Sequence, residues 1–246
     1  MKAAIYPWKA SSEGAQILAE YLEGRLINRI SDLRSNEILI NWGAGGLSID
    51  RWNSNWLNKP SAVCRAVDKL SAFDFFNRTG VPYPLYTTSG DQAKRWLHAG
   101  HIVLARQTAT GMMGQGISVL TRPTDRIPSA VFYSRHVHHH DEYRIHVFRG
   151  RVINIGMKIA EVDNPNLLVR NWGNEWKFCN RDAPSLVKQI GIDAVRALGL
   201  DFGAADIGYC GNGTAYVFEV NSAPGTGHNT ITRYANAMRI HMENCE

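Results

Sequence analysis

The segment that most constrains the fold is GAADIGYCGNGTAYVFEVNSAPG, residues 203–225. Its Asn212-Gly213 pair stands between two runs with alternating apolar residues, which favours a type I′ hairpin with a two-residue loop. Such a loop places Asp206 opposite Glu219 on the neighbouring strand. Because strand side chains repeat every second residue, Asn221 falls on the same face as Glu219. The segment therefore predicts a hairpin that brings two acids and an amide into one patch.

The patch of Asp206, Glu219 and Asn221 indicates a metal site. Like charges directly opposed across a sheet destabilise it, and a divalent cation bound through oxygen ligands offsets that repulsion. Carboxylates and an amide without histidine or thiolate select a hard cation, so Mg²⁺ shared with substrate phosphates fits best and Mn²⁺ is the alternative. The other interpretation is an exposed hairpin with solvated acids, in a register shifted by one residue.

Length and composition indicate a globular chain. Its 246 residues can bury a substantial core in one large or two small domains, and 44% are hydrophobic and 20% charged. No apolar run approaches a membrane span and the N-terminus lacks the apolar stretch of a signal peptide, so we expect a cytoplasmic protein without a membrane partner. A net charge of +5 permits anionic partners without choosing among nucleotides, acidic peptides and nucleic acid. The cysteines lack C-x-x-C spacing and are expected to be free thiols: Cys64, Cys179, Cys210 and Cys245.

The predicted elements are those of a mixed α and β chain. Residues 1–60 predict a short α/β unit with strands over AAIYPW, RLINRI and EILINWG and a helix over residues 12–23. One long helix is predicted over SAVCRAVDKLSAFDFFNRTG, ended by Gly80. The remaining predicted elements are VPYPLYTT, a helix near residues 90–99, the strands HIVLARQ, GISVLTR, AVFYSRHV, EYRIHVFRG and RVINIGMKIAEV, and the helix APSLVKQIGIDAVRALG.

The loop TATGMMGQG indicates a phosphate-binding segment between two strands. Gly111, Gly114 and Gly116 lack the Cβ that would keep backbone N–H groups away from a polyphosphate, and Arg106 ends the preceding strand. The loop does not match the Walker pattern, and no G-x-G-x-x-G opens a helix. A plain mobile loop is the alternative.

Taken in order, these segments resemble the ATP-grasp superfamily over nearly the whole chain. The chain is most similar to the RimK-like and D-alanine:D-alanine ligase branch, and to small phage-encoded ATP-grasp proteins. The segments that carry the resemblance are Asp68-Lys69 before GVPYP, VLARQTATGMMGQGI, SRHV, EYRIHVFRGRVINIGMKI, VRNWGNEWKF, DFGAADIG and FEVNSAPG.

The resemblance implies an α+β ATP-grasp fold, in which two α+β subdomains clasp ATP. It implies a pre-ATP-grasp unit over residues 1–60 and an ATP-grasp domain over 61–246, with a lid subdomain at about 61–132 and a C-terminal subdomain at about 133–246. It also implies an ATP-dependent ligase that joins a carboxylate to an amine through an acyl phosphate, forming an amide or peptide bond and releasing ADP and phosphate. A phage-encoded protein would act in the host cytoplasm.

The resemblance assigns cofactor roles to individual residues. Where this chain has Arg106, the family more often has a lysine. Arginine is also a cation, and it can donate two parallel hydrogen bonds to a phosphate. The implied ATP-binding residues are Lys69 and Arg106 on the α- and β-phosphates, Gly111, Gly114 and Gly116 in the covering loop, the backbone of Arg135, His136 and Val137 at the adenine, and Glu142 at the ribose. The implied Mg²⁺ ligands are Asp206, Glu219 and Asn221.

Four further residues are candidates for catalysis, because acyl transfer builds negative charge that fixed cations and donors stabilise. They are Arg144, Lys158, Arg170 and Asn171. D-alanine ligases carry an arginine two residues before the metal aspartate where this chain has Ala204, so Arg144 or Arg170 would take over that role. The alternative for Arg144 is a cross-strand ion pair on a solvated face.

Other motifs allow two interpretations. His138–His140 are expected in a solvated polar turn, and His228, Asn229 and Thr230 in a loop whose family counterpart holds an acceptor carboxylate. NWGAGG, residues 41–46, could line the substrate cleft or form a tight turn. Trp172 and Trp176 could cover the substrate or serve packing.

The expected partners are small-molecule or peptide carboxylates and amines, with nucleic acid not expected and an oligomer left open. Two other functions remain: a non-catalytic nucleotide-binding interaction protein, and a kinase that phosphorylates a small molecule. The opposed acids argue against the first, because a pure binder does not need them. No motif names the substrates.

Overall fold

The structure is a computed structural model and describes residues 1–49, 52–110, 116–225 and 227–245. Its strands are β1 (Lys2–Pro7), β2 (Arg25–Leu26), β3 (Glu37–Trp42), β4 (Tyr86–Thr87), β5 (Val103–Arg106), β6 (Ile117–Leu120), β7 (Phe132–Arg135), β8 (Asp141–Phe148), β9 (Arg151–Ala160), β10 (Trp176–Asn180), β11 (Phe202–Tyr209) and β12 (Ala215–Asn221). Its α-helices are α1 (Glu13–Tyr21), α2 (Pro60–Val67), α3 (Lys69–Thr79), α4 (Gly90–His98), α5 (Ser185–Ala197) and α6 (His228–Glu243). None of these helices is long and apolar enough to cross a membrane.

The N-terminal residues form a parallel sheet in the order β2-β1-β3. Strand β3 is buried throughout, and its last residue, Trp42, stacks on Phe202 with ring centroids 5.4 Å apart. Trp42 also meets Tyr234 of α6 edge-on at 5.8 Å. The strand predicted over RLINRI is shorter than expected, because only Arg25 and Leu26 pair with β1. This aromatic cluster joins the N-terminal sheet to the rest of the chain.

The long helix predicted over residues 61–80 is two helices. Asp68 has an extended backbone, and its Oδ1 accepts a hydrogen bond from the Ser71 N–H at 3.0 Å. A side-chain cap of this kind starts a new helix, so α2 ends at Val67 and α3 begins at Lys69. The break fixes Lys69 at the first turn of α3, and Lys69 is buried there.

The largest sheet is antiparallel, in the order β10-β9-β8-β11-β12. Helix α5 covers one face, and its apolar side chains form the main core with β8, β11 and β12. A second antiparallel sheet, in the order β4-β7-β5-β6, packs against α4. The opposite face of the largest sheet carries the polar residues described below.

The β11–β12 hairpin differs from its predicted turn. The Cys210 N–H bonds to the Thr214 carbonyl at 2.9 Å, so the loop holds three residues, Gly211 to Gly213, and the predicted two-residue loop is wrong. Residue Phe218 is then unpaired in a β-bulge that shifts the register by one residue. The two departures cancel, and Asp206 lies opposite Glu219 as predicted.

Candidate active site

Arg144, Asp206 and Glu219 lie side by side on three neighbouring strands, β8, β11 and β12. Arg144 donates from Nε to Asp206 Oδ1 at 2.6 Å and from Nη2 to Oδ2 at 2.7 Å. Glu219 Oε2 lies 3.1 Å from the Nζ of Lys69. The row therefore runs from a cation through two adjacent acids to a second cation, and each carboxylate has its own positive partner.

The predicted metal ligands share this face. Asn221 donates from Nδ2 to Glu219 Oε1 at 3.2 Å, so the amide lies beside the two acids. In the described part of the chain, no three or more His, Cys, Asp or Glu side chains gather into a metal-binding cluster. The candidate ligand set thus consists of two carboxylates and one amide. These oxygen donors fit Mg²⁺ in ligand type, since it is a hard cation that also keeps water and phosphate ligands.

Arg144 is held firmly in its charged form. Burial of the guanidinium opposes the charge, but the nearby Asp206 carboxylate outweighs this and raises the pKa of Arg144 above its usual value. The Phe178 ring of β10 lies over the guanidinium, 4.5 Å from its central carbon. Arg144 is therefore a fixed cation clamped between an acid and an aromatic ring.

Glu142 is the centre of a second group on the same face. It is 6% exposed, and its Oε1 accepts from the Nζ of Lys158 at 2.5 Å. Its Oε2 lies 3.5 Å from the Nε2 of His139. Burial favours the neutral carboxyl, but the contacts with His139 and Lys158 outweigh it and hold the pKa of Glu142 below its usual value. The predicted ribose-binding acid is thus ionised, with Lys158 as its hydrogen-bond donor and His139 close by.

The prediction of a solvated His138–His140 turn is wrong for His139. His138 and His140 are exposed, but His139 is buried, with its Nδ1 2.8 Å from the Val137 carbonyl. Its ring meets Phe218 at 5.1 Å. The space for Phe218 comes from Gly208, because a Cβ there would lie 2.4 Å from the Phe218 Cζ.

Arg170 and Asn171 lie apart from Arg144. Arg170 donates from Nη2 to the His139 carbonyl at 2.8 Å and from Nη1 to the His140 carbonyl at 2.9 Å, and burial lowers its pKa. Its guanidinium lies 4.8 Å from the centre of the Trp176 ring. The backbone carbonyl of Asn171 accepts from Trp176 at 3.2 Å. The two residues therefore border the Glu142 group, where Lys158 also donates to the Arg170 carbonyl at 2.6 Å.

Arg106 ends β5 with its guanidinium buried. Burial lowers its pKa, and the Glu219 charge acts in the opposite direction. Among the described residues, its Nε has no hydrogen-bond partner. An uncompensated buried donor with a positive charge is costly, so this position favours an anionic ligand.

The glycine loop is described only at its two ends. The Lys69 N–H bonds to the Ala109 carbonyl at 3.1 Å, which fixes the start of the loop against α3. The Gly116 carbonyl accepts from Gln107 at 2.8 Å at its other end. Gly111 and Gly114 lie outside the described residues.

The predicted hinge, Arg135 to Val137, begins at the last residue of β7. The Arg135 N–H bonds to Leu85 at 2.8 Å and that of His136 to Ile102 at 2.9 Å, so these two backbone donors are engaged. Burial, followed by the nearby His139, lowers the pKa of His136 to about 4. His136 is therefore neutral at pH 7.

The loop predicted at His228–Thr230 is the first turn of α6. Thr230 accepts from the Nδ2 of Asn154 at 2.8 Å, which ties the helix to β9. The His228 side chain lies outside the described part of the structure. Of the two tryptophans predicted to cover substrate or pack, Trp176 is buried and donates to the Asn166 carbonyl at 3.1 Å, so it serves packing.

Phe178 and Gly156 belong to the site, although the sequence predicted no role for either of them. Phe178 is 41% exposed and lies over Arg144 and, at 5.6 Å, over Lys158. Gly156 of β9 gives it room, since a Cβ there would lie 3.1 Å from the Phe178 Cδ1. The alternation in WKFCN would have predicted β10 and placed Phe178 on the same face as Trp176.

Comparisons with known proteins support the fold. No family model and no curated protein sequence matches the chain. The chain is similar to the solved structure of the ATP-grasp ligase PsnB complexed with a phosphomimetic variant of its minimal precursor, Mg and ADP, with a TM-score of 0.71, 13% identity and coverage of 98% of each chain. It is also similar to D-alanine–D-alanine ligase from Bacillus anthracis, with a TM-score of 0.64, 12% identity and 99% of each chain covered.

A third similar structure is macrocyclase MdnC bound with the precursor peptide MdnA, from Microcystis aeruginosa, with a TM-score of 0.64 and 13% identity over 97% of this chain and 99% of that one. These likenesses show that the chain has the α+β ATP-grasp fold, which confirms the predicted fold class.

Proposed function

We propose that this protein is an ATP-dependent carboxylate-amine ligase that forms an amide or peptide bond through an acyl phosphate. The observation that carries the proposal is the row Arg144–Asp206–Glu219–Lys69 at one sheet face, where a cation flanks each end of a pair of adjacent acids. The buried Arg106, whose pKa responds to the Glu219 charge, adds a cation to this end of the face. The ligases among the similar structures support the same reaction class.

The chain's own cations would bind the nucleotide phosphates. Lys69 and Arg106 would contact the α- and β-phosphates, and the glycine loop that starts beside Lys69 would cover them. Glu142 would accept the ribose hydroxyls, and the backbone near Val137 would contact the adenine. Each assignment puts a charged or polar group where ATP carries the complementary one.

Asp206, Glu219 and Asn221 would hold Mg²⁺, which when bound supplies positive charge at the phosphates. The similar PsnB structure is described as complexed with Mg and ADP, so the same cofactors are proposed for this chain. Arg144 and Lys69 hold the two carboxylates in place before the cofactors bind.

In the proposed reaction, the substrate carboxylate attacks the γ-phosphoryl group of ATP, and ADP leaves. The amine then attacks the acyl carbon, and phosphate departs with one oxygen of the original carboxylate. The proton lost by the amine passes to solvent. Arg144, a clamped cation at one end of the row, would stabilise the charge that develops in both steps. Arg170 and Lys158 would act beside Glu142, where they lie.

The proposal is tested by measuring phosphate release with a matrix of amino acid and peptide donors and acceptors, followed by mass spectrometry of the products. A ligase requires a carboxylate and an amine together, and ¹⁸O from the donor carboxylate appears in the released phosphate. Turnover with a hydroxyl substrate and no oxygen transfer would identify a kinase instead. Nucleotide binding without turnover on any substrate would identify a non-catalytic binder.

A further inference from the structure

A groove of about 800 Å³ lies at the C-terminal ends of β1 and β3. Its inner end is lined by Asp68 and Thr110, next to Lys69 and the start of the glycine loop. Its outer end is lined by Trp8 and Lys9. Ligands of parallel α/β sheets commonly bind beyond the carboxyl ends of the strands, and here that edge leads directly to the phosphate-binding residues.

The side of the groove is the main chain of Gly43–Leu47, which follows β3 without forming a helix or strand. The Ala44 N–H and carbonyl are both bonded to the Asn41 side chain at 2.9 Å, which fixes the run at one point. Within the described residues, the N–H groups of Gly45, Gly46 and Leu47 make no hydrogen bond. These groups are donors available to a ligand, because polar backbone groups seek a partner when water is displaced.

The three glycines of the run have different surroundings. Gly43 has φ +84°, and a Cβ there would lie 2.6 Å from the Cβ of Ala223, which follows the metal-ligand strand. A Cβ on Gly45 would lie 2.8 Å from the Sγ of Cys64 on α2. Gly46 has no positive φ, and nothing lies within 4 Å of its missing Cβ. Gly43 and Gly45 allow their neighbours to pack closely, whereas the missing side chain of Gly46 keeps the groove wide at that point.

We propose that this groove binds a peptide substrate in extended form, with the reacting carboxylate at the Lys69 end. The inference rests on the proposed ligase function and adds the class of substrate. The free N–H groups of residues 45–47 would donate hydrogen bonds to carbonyl groups of the peptide main chain. The half-exposed Trp8 would pack against a peptide side chain.

Size and charge both favour this occupant. Sites for drug-sized ligands range over about 300–1,000 Å³, and this groove of about 800 Å³ has the size that a short peptide needs. Asp68 is the one acid of the lining among the described residues, and its Oδ1 is engaged by the Ser71 N–H. Lys9 supplies a positive charge at the outer end, where an acidic side chain of the peptide would lie.

The turnover experiment compares phosphate release with mixtures of free amino acids, dipeptides and randomised pentapeptides as carboxylate donors. The variants are Gly46→Ala and Gly46→Leu, with Gly90→Ala on α4 as the control, because its Cβ meets only ordinary contacts of 3.5 Å or more. We expect wild-type kcat/KM to rise at least about tenfold from amino acids to pentapeptides, and Gly46→Leu to remove that gain while the KM for ATP is unchanged. Gly46→Ala should fall between the two.

Binding tests the inference independently of turnover. The randomised pentapeptides are retained on wild-type and Gly46→Leu protein by ultrafiltration and identified by mass spectrometry. Retention of peptides by the wild type and its loss in Gly46→Leu would support peptide binding in the groove. Equal retention by both proteins, or retention by neither, overturns it even if the enzyme is an active ligase. If the peptides are retained by wild type and lost in Gly46→Leu, but no substrate is turned over, the groove binds peptides and the proposed ligase function is wrong.

Discussion

Arg144 and Asp206 face each other across β8 and β11 and share two hydrogen bonds, of 2.6 and 2.7 Å. These two hydrogen bonds hold in place the carboxylate that is proposed to bind Mg²⁺, and they keep the guanidinium in the middle of the site. Because one residue orients the ligand and carries the charge, substitutions at position 144 should affect both turnover and stability.

Arg144→Ala should lower kcat about 10²- to 10³-fold, the cost of losing a fixed electrostatic donor in acyl transfer. Arg144→Lys keeps the positive charge but cannot donate the two parallel hydrogen bonds to Asp206. This variant should therefore fold and recover only part of the rate. Steady-state kinetics, ATP titration and thermal unfolding separate the effects. Wild-type kcat in Arg144→Lys would show that the two-point contact has no role in turnover.

Glu219→Gln should abolish ADP formation and leave the fold intact, because Glu219 is partly exposed and meets Lys69 at the cleft. Asp206→Asn should also abolish turnover, and it should destabilise the fold because Arg144 then lacks a charged partner in a buried position. ADP formation at saturating Mg²⁺ and unfolding by urea give the two readouts. Near wild-type turnover in either variant would remove that residue from the metal site.

Arg106→Met should act in opposite directions on nucleotide binding and on stability. Loss of a charged hydrogen bond to phosphate should weaken ATP binding by about 1.5–3 kcal/mol. The nucleotide-free protein should become more stable, since a buried, incompletely bonded guanidinium is replaced by an apolar side chain of similar length. Arg106→Lys serves as the charge-preserving control. A lower Tm of the nucleotide-free Met variant would contradict the argument.

Phe178→Ala should lower kcat with little change in ATP affinity, because the ring lies over Arg144 and Lys158. Gly156→Ala should act in the same direction by displacing the ring. Lys177→Ala is the matched control, since Lys177 lies on the other face of β10 in an exposed pair with Glu161. Equal kinetics of the Phe178 and Lys177 variants would rule out a positioning role for the ring.

Stability should fall as pH drops below 6.5, in part through His146. This histidine is 4% exposed and its Nδ1 lies 3.2 Å from the Tyr234 hydroxyl. Burial and then the Arg144 charge lower its pKa to about 3, so between pH 6.5 and 3 the unfolded chain binds a proton that the folded chain does not. The stability gained from a neutral His146 is therefore complete above pH 6.5 and is lost on acidification.

His146→Gln should reduce the slope of the unfolding free energy by about 1.4 kcal/mol per pH unit in the middle of this window. Urea unfolding of the two proteins between pH 4 and 6 measures it. Parallel slopes would show that His146 titrates alike in the folded and unfolded chains.

The fold class was predicted from the segments that resemble ATP-grasp proteins. The apposition of Asp206 and Glu219 was predicted from a two-residue loop, and it holds because the three-residue loop and the bulge at Phe218 offset each other. The break at Asp68 was missed because apolar periodicity continues through it, whereas the cap depends on one side chain. Strand β10 was missed because the run WKFCN is short, with only five residues. His139 was predicted as solvated because its burial depends on Phe218 and Gly208, which are distant in sequence.

The bulge at Phe218 limits which natural variants of β12 are compatible with function. It places Phe218 and Glu219, neighbours in sequence, on the same side of the sheet, one against His139 and the other beside Lys69. An insertion or deletion between Val217 and Glu219 would turn one of the two away from the cleft. The turn at residues 211–213 is exposed and carries no such constraint, so length differences among natural variants should collect there and be absent from the bulge.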